Sequence, residues 1–183
     1  MATVIIDYGM GNLDSISRAV AECGGDPLVT SKEADLAAAA RMILPGVGSF
    51  APAAKNLAAS GLIPCIKEQV LKHRIPFMGI CLGMHLMADK GFEGWEADGL
   101  GLIPGRVVRL EASNPSEKIP HMGWNEVDLL VRSPLFAGLE SGKDFYFVHS
   151  YHFVCGPDYV MATTPYCGKI NSMVGRDNII GAQ

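Results

Sequence analysis

Gly79-Ile80-Cys81-Leu82-Gly83 has the G-x-nucleophile-x-G form in which a strand bends sharply into a helix and presents a side chain at the bend, here a cysteine. Steric reasons account for the spacing. A nucleophile at such a turn sits in strained backbone, and only small neighbours let the strand and helix pack closely enough to hold it. A helix N-terminus behind the sulfur is expected to lower the thiol pKa from about 8.5 toward a usable thiolate. A thiolate so placed attacks carbonyl carbons. The plain alternative, a buried structural cysteine, is the reading for Cys23, Cys65, Cys155 and Cys167, which lie in no such pattern. A second small-residue loop, Pro45-Gly46-Val47-Gly48, follows a predicted strand and so lies at the same carboxyl edge as Cys81, where ligands of open α/β sheets bind. Its glycines allow a peptide N–H to turn toward a developing oxyanion, although an ordinary strand-to-helix turn uses the same residues.

These loops need a scaffold, and the first half of the chain supplies one by alternation. Thr3 to Asp7, Leu28 to Thr30, Met42 to Leu44 and Ile75 to Ile80 are short apolar runs that read as strands. Between them, Leu13, Ile16, Val20 and Cys23 recur at helical spacing, and Gly24-Gly25 supplies the stop. Lys32 to Ala40 reads as an alanine-rich helix, Ala51 to Lys72 as a helical region interrupted at Gly61 and Pro64, and Leu82 to Lys90 as a helix after the elbow. Strands without alternating polarity, separated by helices, imply a parallel sheet covered on both faces. The second half changes character. Arg106 to Leu110, Asn125 to Leu130, Phe145 to Val154, Tyr159 to Thr164, Ile170 to Val174 and Asn178 to Ala182 read as strands separated by turn residues, with Glu111 to Lys118 as a loop. The expected fold is therefore α/β, a doubly wound and mostly parallel central sheet with an antiparallel extension in the C-terminal half.

Composition narrows the function classes. A chain of 183 residues, 49% hydrophobic and 19% charged, excludes disorder and sets a prior of one domain over residues 1–183. Such a chain buries about 70% of its unfolded surface, enough for a core without staples. A net charge of −4 gives no footprint for duplex nucleic acid and no basic run for an anionic membrane. The five cysteines, odd in number, widely spaced and without a C-x-x-C pair, argue against a disulfide framework or a zinc ribbon, so no metal and no cofactor is expected. The N-terminus has no positive region and its apolar stretch is broken by Asp7, and Ile75 to Ala88 is too short to span a bilayer. A reducing, cytoplasmic compartment fits best.

Asp7-Tyr8-Gly9-Met10-Gly11-Asn12-Leu13, Leu44 to Phe50, Gly79 to Met84, His121-Met122-Gly123-Trp124-Asn125 and Phe145 to Tyr151 together resemble the class I (triad) glutamine amidotransferases. Within that class they resemble the glutaminase subunits of imidazole glycerol phosphate synthase. The segments span nearly the whole chain in family order, and Pro45-Gly46-Val47-Gly48 favours the synthase subunits over their cousins. The resemblance implies that Cys81 attacks the side-chain amide of glutamine, forms a glutamyl thioester and releases ammonia, after which water frees glutamate. It implies that Val47, Gly48 and the N–H of Leu82 form the oxyanion region, and that Ser150 and Tyr151 hold the backbone groups of glutamine. It places Asn12, Trp124 and Tyr146 near a heterodimer partner, a (β/α)₈ barrel synthase (cyclase) subunit. That subunit takes the ammonia through a tunnel to make imidazole glycerol phosphate in histidine biosynthesis.

Two departures from the family pattern bear on the chemistry. Where the family usually has Gln four residues after the cysteine, this chain has His85, one helical turn from Cys81 on the same face; it reads first as a polar pocket-lining substitute for that Gln, and alternatively as a contact for bound glutamine. In addition, a strand ending like Ile180-Gly181-Ala182-Gln183 is followed in the family by Phe-His-Pro-Glu, which supplies the general base and the carboxylate that orients it, whereas this sequence stops at Gln183. A cysteine nucleophile needs a base within about 3 Å. His73 reads as a solvated charge at a helix end, and His121, His149 and His152 read as satisfied structural histidines. The expectation is a C-terminally truncated glutaminase with a reactive thiol and little turnover. The alternatives are a non-catalytic binding subunit of the same fold, and an unrelated cysteine hydrolase or thioesterase built on the same elbow.

Overall fold

The computed structural model describes residues 2–183. The first half runs β1 (Thr3–Ile6), α1 (Leu13–Glu22), β2 (Pro27–Thr30), α2 (Glu33–Ala37), β3 (Arg41–Leu44), α3 (Phe50–Ala59), α4 (Ile63–Lys67), β4 (Phe77–Ile80) and α5 (Leu82–His85). The second half runs β5 (Lys90–Gly91), β6 (Ala97–Asp98), β7 (Gly105–Arg109), β8 (His121–Leu129), β9 (Lys143–His149), β10 (Tyr151–Cys155), β11 (Val160–Thr164), β12 (Ile170–Arg176) and β13 (Ile179–Ala182). Nine strands form one mixed sheet in the order β2-β1-β3-β4-β13-β12-β11-β8-β9. From β2 to β13 its neighbours are parallel, and from β13 to β9 they are antiparallel. A second sheet, in the order β10-β7-β5-β6, lies beside it.

Burial follows from the residues. All of β1 is buried, as its unbroken Thr-Val-Ile-Ile run requires of a strand inside a parallel sheet. On one face, Val4, Ile6, Met42, Leu44 and Phe77 pack with Phe50, Leu57, Ile66 and Val70 from the helical segments into the main core. The other face is covered less completely. Helix α1 contributes no fully buried residue, and Ile16, Ala19 and Val20 line a groove with Ile43, Met78 and Ile80 of the sheet. Helices do lie over the sheet, but they cover it unequally. Among the described residues, no helix is long and apolar enough to cross a membrane.

Several expected elements are redrawn. The long run Phe145 to Val154 is two strands. Strand β9 pairs with β8 in the large sheet, β10 pairs with β7 in the small one, and the chain turns the corner at Ser150, whose carbonyl accepts from the Leu110 N–H. Nothing in the local sequence marks that corner, because every residue around it suits a strand. The segment Asn178 to Ala182, grouped by its sequence with the antiparallel strands, is parallel to one of its neighbours. Strand β13 lies mid-sheet, parallel to β4 on one side and antiparallel to β12 on the other. The helix after the elbow stops at His85, and Lys90 already belongs to β5. After α4 the backbone widens into a π-helical turn, Glu68–Lys72, so the region from Ala51 to Lys72 breaks where expected and then loosens.

Candidate active site

Strand β4 delivers Cys81 to the carboxyl edge of the sheet with φ 52° and ψ −112°, a conformation costing a non-glycine residue about 1–3 kcal/mol. Hydrogen bonds hold it there. Its N–H donates to the Ala182 carbonyl at 2.7 Å, and its carbonyl accepts from the His85 N–H at 3.1 Å. The flanking glycines are steric requirements. A Cβ on Gly79 would come within 2.5 Å of Met87 Sδ and 2.6 Å of the Gly83 carbonyl oxygen, and one on Gly83 would collide with the Leu44 carbonyl. The strand-to-helix approach expected from the motif is thus present in detail.

The loop after β3 packs against this elbow. A Cβ on Gly46 would meet Tyr8 Oη at 2.6 Å and Leu82 Cβ at 2.9 Å, and the Tyr8 hydroxyl donates to the Pro45 carbonyl at 3.0 Å. Gly46 therefore lets the loop lie on α5 and is not itself among the cavity-lining residues. Gly48 takes φ 105°, a left-handed conformation natural to glycine. Among the described residues no acceptor takes the N–H of Val47 or Gly48, so both donors remain available. Tyr8 stays protonated, its pKa pushed up by burial and by the neighbouring Cys81.

Val47, Gly48, Cys81, Leu82, His85, Ser150 and Tyr151 all line one cavity of about 470 Å³, within the size range of small-molecule sites. The corner at Ser150 brings the last two to it. Glu93, His149 and Val148 line it as well, and the sequence reading missed them. Glu93 follows a two-residue strand with no readable pattern. Its carboxylate accepts from the Phe50 N–H at 3.0 Å, and burial pushes its pKa up. His149 sat in a recognised segment, but its exposure to the cavity depends on the sheet-to-sheet corner.

Two expectations about reactive groups are corrected. The Cys81 thiol is pushed up, not down: burial is the largest cause and the Glu93 charge adds to it, while the Leu82 N–H and the Gln183 side chain pull the other way. A helix of one turn has few aligned peptides, so its dipole does not offset that desolvation. Among the described residues, the only side-chain hydrogen bond to Cys81 Sγ comes from Gln183 Nε2 at 3.6 Å, and no imidazole makes one. The remaining cysteines are also less uniform than expected: Cys65 is buried, Cys23 is exposed, and Cys155 and Cys167 are half-buried.

The histidines fall into distinct environments. Tautomers can be assigned from their partners. The Tyr151 carbonyl must accept from His149 Nδ1 at 2.9 Å, so His149 Nε2 accepts from His121 Nδ1 at 3.0 Å, and His121 Nε2 accepts from the Asn125 amide at 3.3 Å. His121 is also stacked between Phe147 and Tyr166, at centroid distances of 4.7 and 3.8 Å, and burial pushes its pKa down to about 4. His121 and His149 are satisfied, as expected. His152 is not: its Nδ1 is buried without a partner. His73 is exposed.

The positions implied for a partner lie on the surface. Trp124 and Tyr146, opposite each other on β8 and β9, are 71% and 54% exposed and meet edge to face at 5.7 Å. Met122 and Val148 continue the same exposed apolar surface, while His121, Phe147 and His149 are buried. Asn12 is exposed and caps α1 by accepting from the Ser15 N–H at 3.3 Å.

The sequence pattern of the class-I glutamine amidotransferases matches residues 4–183. The imidazole glycerol phosphate synthase subunit HisH 1 of Campylobacter jejuni (strain RM1221) is 43% identical over 179 residues, which cover 98% of this chain and 89% of that one. The imidazole glycerol phosphate synthase subunit HisH of Agrobacterium fabrum (strain C58) is 44% identical over 194 residues, covering 100% of this chain and 90% of the relative. In three dimensions, a crystal structure of a glutamine amidotransferase superposes with a TM-score of 0.75 at 16% identity, over 99% of this chain and 88% of that one.

Proposed function

The chain belongs to the class I glutamine amidotransferases, and from that premise we propose that it is the glutaminase subunit of imidazole glycerol phosphate synthase, which supplies ammonia for histidine biosynthesis. The observation that carries the reading is 43% identity to a synthase subunit over 98% of the chain, with the elbow cysteine opening into a shared cavity.

In this reading residues 1–183 act as one amidotransferase domain. Cys81 Sγ bonds to the side-chain carbonyl carbon of glutamine, and the carbonyl electron pair moves to oxygen. The N–H groups of Val47, Gly48 and Leu82 receive the oxyanion, a role usually worth about 3–4 kcal/mol of barrier per donor. Collapse breaks the C–N bond, the thiol proton ends on the leaving nitrogen, and ammonia departs. Water then cleaves the glutamyl thioester, giving glutamate and regenerating the thiol. Ser150 and Tyr151 hold the α-carboxylate end of the substrate. Glu93, the one acidic side chain lining the cavity among the described residues, pairs with the α-ammonium. Trp124, Tyr146 and Asn12 face the partner, a (β/α)₈ barrel synthase subunit that consumes the ammonia in the cytoplasm.

Co-purification with that barrel subunit, followed by glutamate formation from glutamine, tests the reading. A stable heterodimer whose glutamate production, slow because no imidazole bonds to the thiol among the described residues, disappears in Cys81→Ala is expected. A chain that forms no complex, or a complex whose glutamate production survives Cys81→Ala, overturns it.

A further inference from the structure

His85 departs from the family pattern, and its surroundings give it a role of its own. The ring is 4% exposed and lines the cavity with Cys81. Its Nε2 lies 2.6 Å from Gln183 Oε1, and the Nε2 of the same Gln183 amide lies 3.6 Å from Cys81 Sγ. One carboxamide therefore bridges an imidazole and the candidate nucleophile. A carboxamide oxygen only accepts, so His85 Nε2 must carry the proton. That donation fixes the face Gln183 turns to the sulfur. With its oxygen held by His85, the amide presents N–H donors, which favour a thiolate. Turned over, it would present a carbonyl oxygen, which repels a thiolate and can be used only by the neutral S–H.

We infer that His85 is a positioning residue for Cys81, acting through Gln183 by locking its carboxamide in the orientation that donates to the sulfur. The inference rests on the reading of Cys81 as the nucleophile, and it differs from a direct contact between His85 and bound glutamine. Burial supports it by keeping the ring neutral, with a pKa pushed down to about 4, so Nε2–H is a plain donor near neutral pH. The other titratable groups around the pair are Glu93 and Tyr8 beside Cys81, and His149 and His152 beside His85. None of these bridges the two side chains.

The test is the pH profile of iodoacetamide alkylation at Cys81, read by peptide mass mapping so that exposed Cys23 does not interfere. In His85→Leu the profile moves to higher pH, with alkylation roughly tenfold slower at neutral pH and the high-pH plateau unchanged. His85→Gln, whose amide can donate to the same oxygen, restores the wild-type profile. Gln183→Leu moves the profile by the same amount as His85→Leu, and the double variant moves it no further, as coupled residues require. A His85→Leu profile that superimposes on wild type overturns the proposal, as do additive shifts in the double variant. Labelling of the wild-type thiol by a glutamine-analogue electrophile reads the active-site assignment separately. An unlabelled Cys81 whose profile still moves with His85 would sink the assignment and leave the relay standing.

Discussion

A single strained residue joins the backbone to the chemistry proposed for this protein. Cys81 is held at φ 52° by hydrogen bonds from two elements, and the glycines on either side exist because any Cβ there would strike neighbouring atoms. That logic was legible in the sequence because it is local: five consecutive residues specify a turn that few other sequences tolerate. The thiol's surroundings were not legible. Burial above all, and the Glu93 carboxylate, raise its pKa against the opposing pull of the Leu82 N–H and the Gln183 side chain, and Glu93 arrives from an unpatterned segment. Glu93→Gln keeps the acceptor for the Phe50 N–H but removes the charge proposed to pair with the substrate ammonium. It should raise the KM for glutamine about tenfold or more, with a smaller change in kcat; steady-state kinetics in the presence of the partner measure both. Because burial raises the Glu93 pKa, the wild-type carboxylate loses its charge earlier than an ordinary one as pH falls. Glutamine affinity should therefore weaken on acidification, and this loss should be absent from Glu93→Gln.

Among the elements, β3, β4 and α5 form the junction on which the site depends. Gly83→Ala would drive a methyl group into the Leu44 carbonyl and should destabilise the fold by about 3 kcal/mol, measurable by chemical denaturation. The β8–β9 ladder carries the opposite kind of residue. Trp124 is 71% exposed, so Trp124→Ala should change stability by less than about 0.5 kcal/mol while weakening binding to the proposed synthase partner by about 2 kcal/mol or more, measured by calorimetry. Elements built on continuous apolar runs, such as β1 and β4, were read from the sequence within a few residues. Those set by non-local pairing were not. The run Phe145 to Val154 has no glycine or proline at Ser150, yet it divides between two sheets, and β5 and β6 are two residues each, too short to carry a period. The corner at Ser150 matters to the candidate site, because it brings Ser150, Tyr151 and His149 to the cavity.

At the scale of the whole molecule, the alternation in the first half and the strands of the second translate into one mixed sheet whose carboxyl edge gathers Cys81, the Pro45 to Ser49 loop and the end of β13. The central placement of β13 could not be read from its sequence, which is equally apolar at an edge or in the middle. Several histidines are buried as neutral rings, and those of His85 and His121 have pKa values pushed down to about 4. An unfolded chain binds protons at these rings from near pH 6.5 downward, where the folded chain does not, so stability is full above that range and is lost as pH falls toward 4. Thermal melts should show a steady Tm between pH 7 and 8 and a falling one from pH 6.5 to 4; a Tm that rises on acidification would contradict the buried-histidine account. The central claim concerns the sulfur itself, and incubation with the glutamine analogue 6-diazo-5-oxo-L-norleucine, followed by peptide mass mapping, tests it most directly. One adduct per chain on Cys81, prevented by excess glutamine and missing from Cys81→Ala, is the predicted result. An unmodified Cys81, or labelling that falls equally on exposed Cys23 and ignores glutamine, would contradict it.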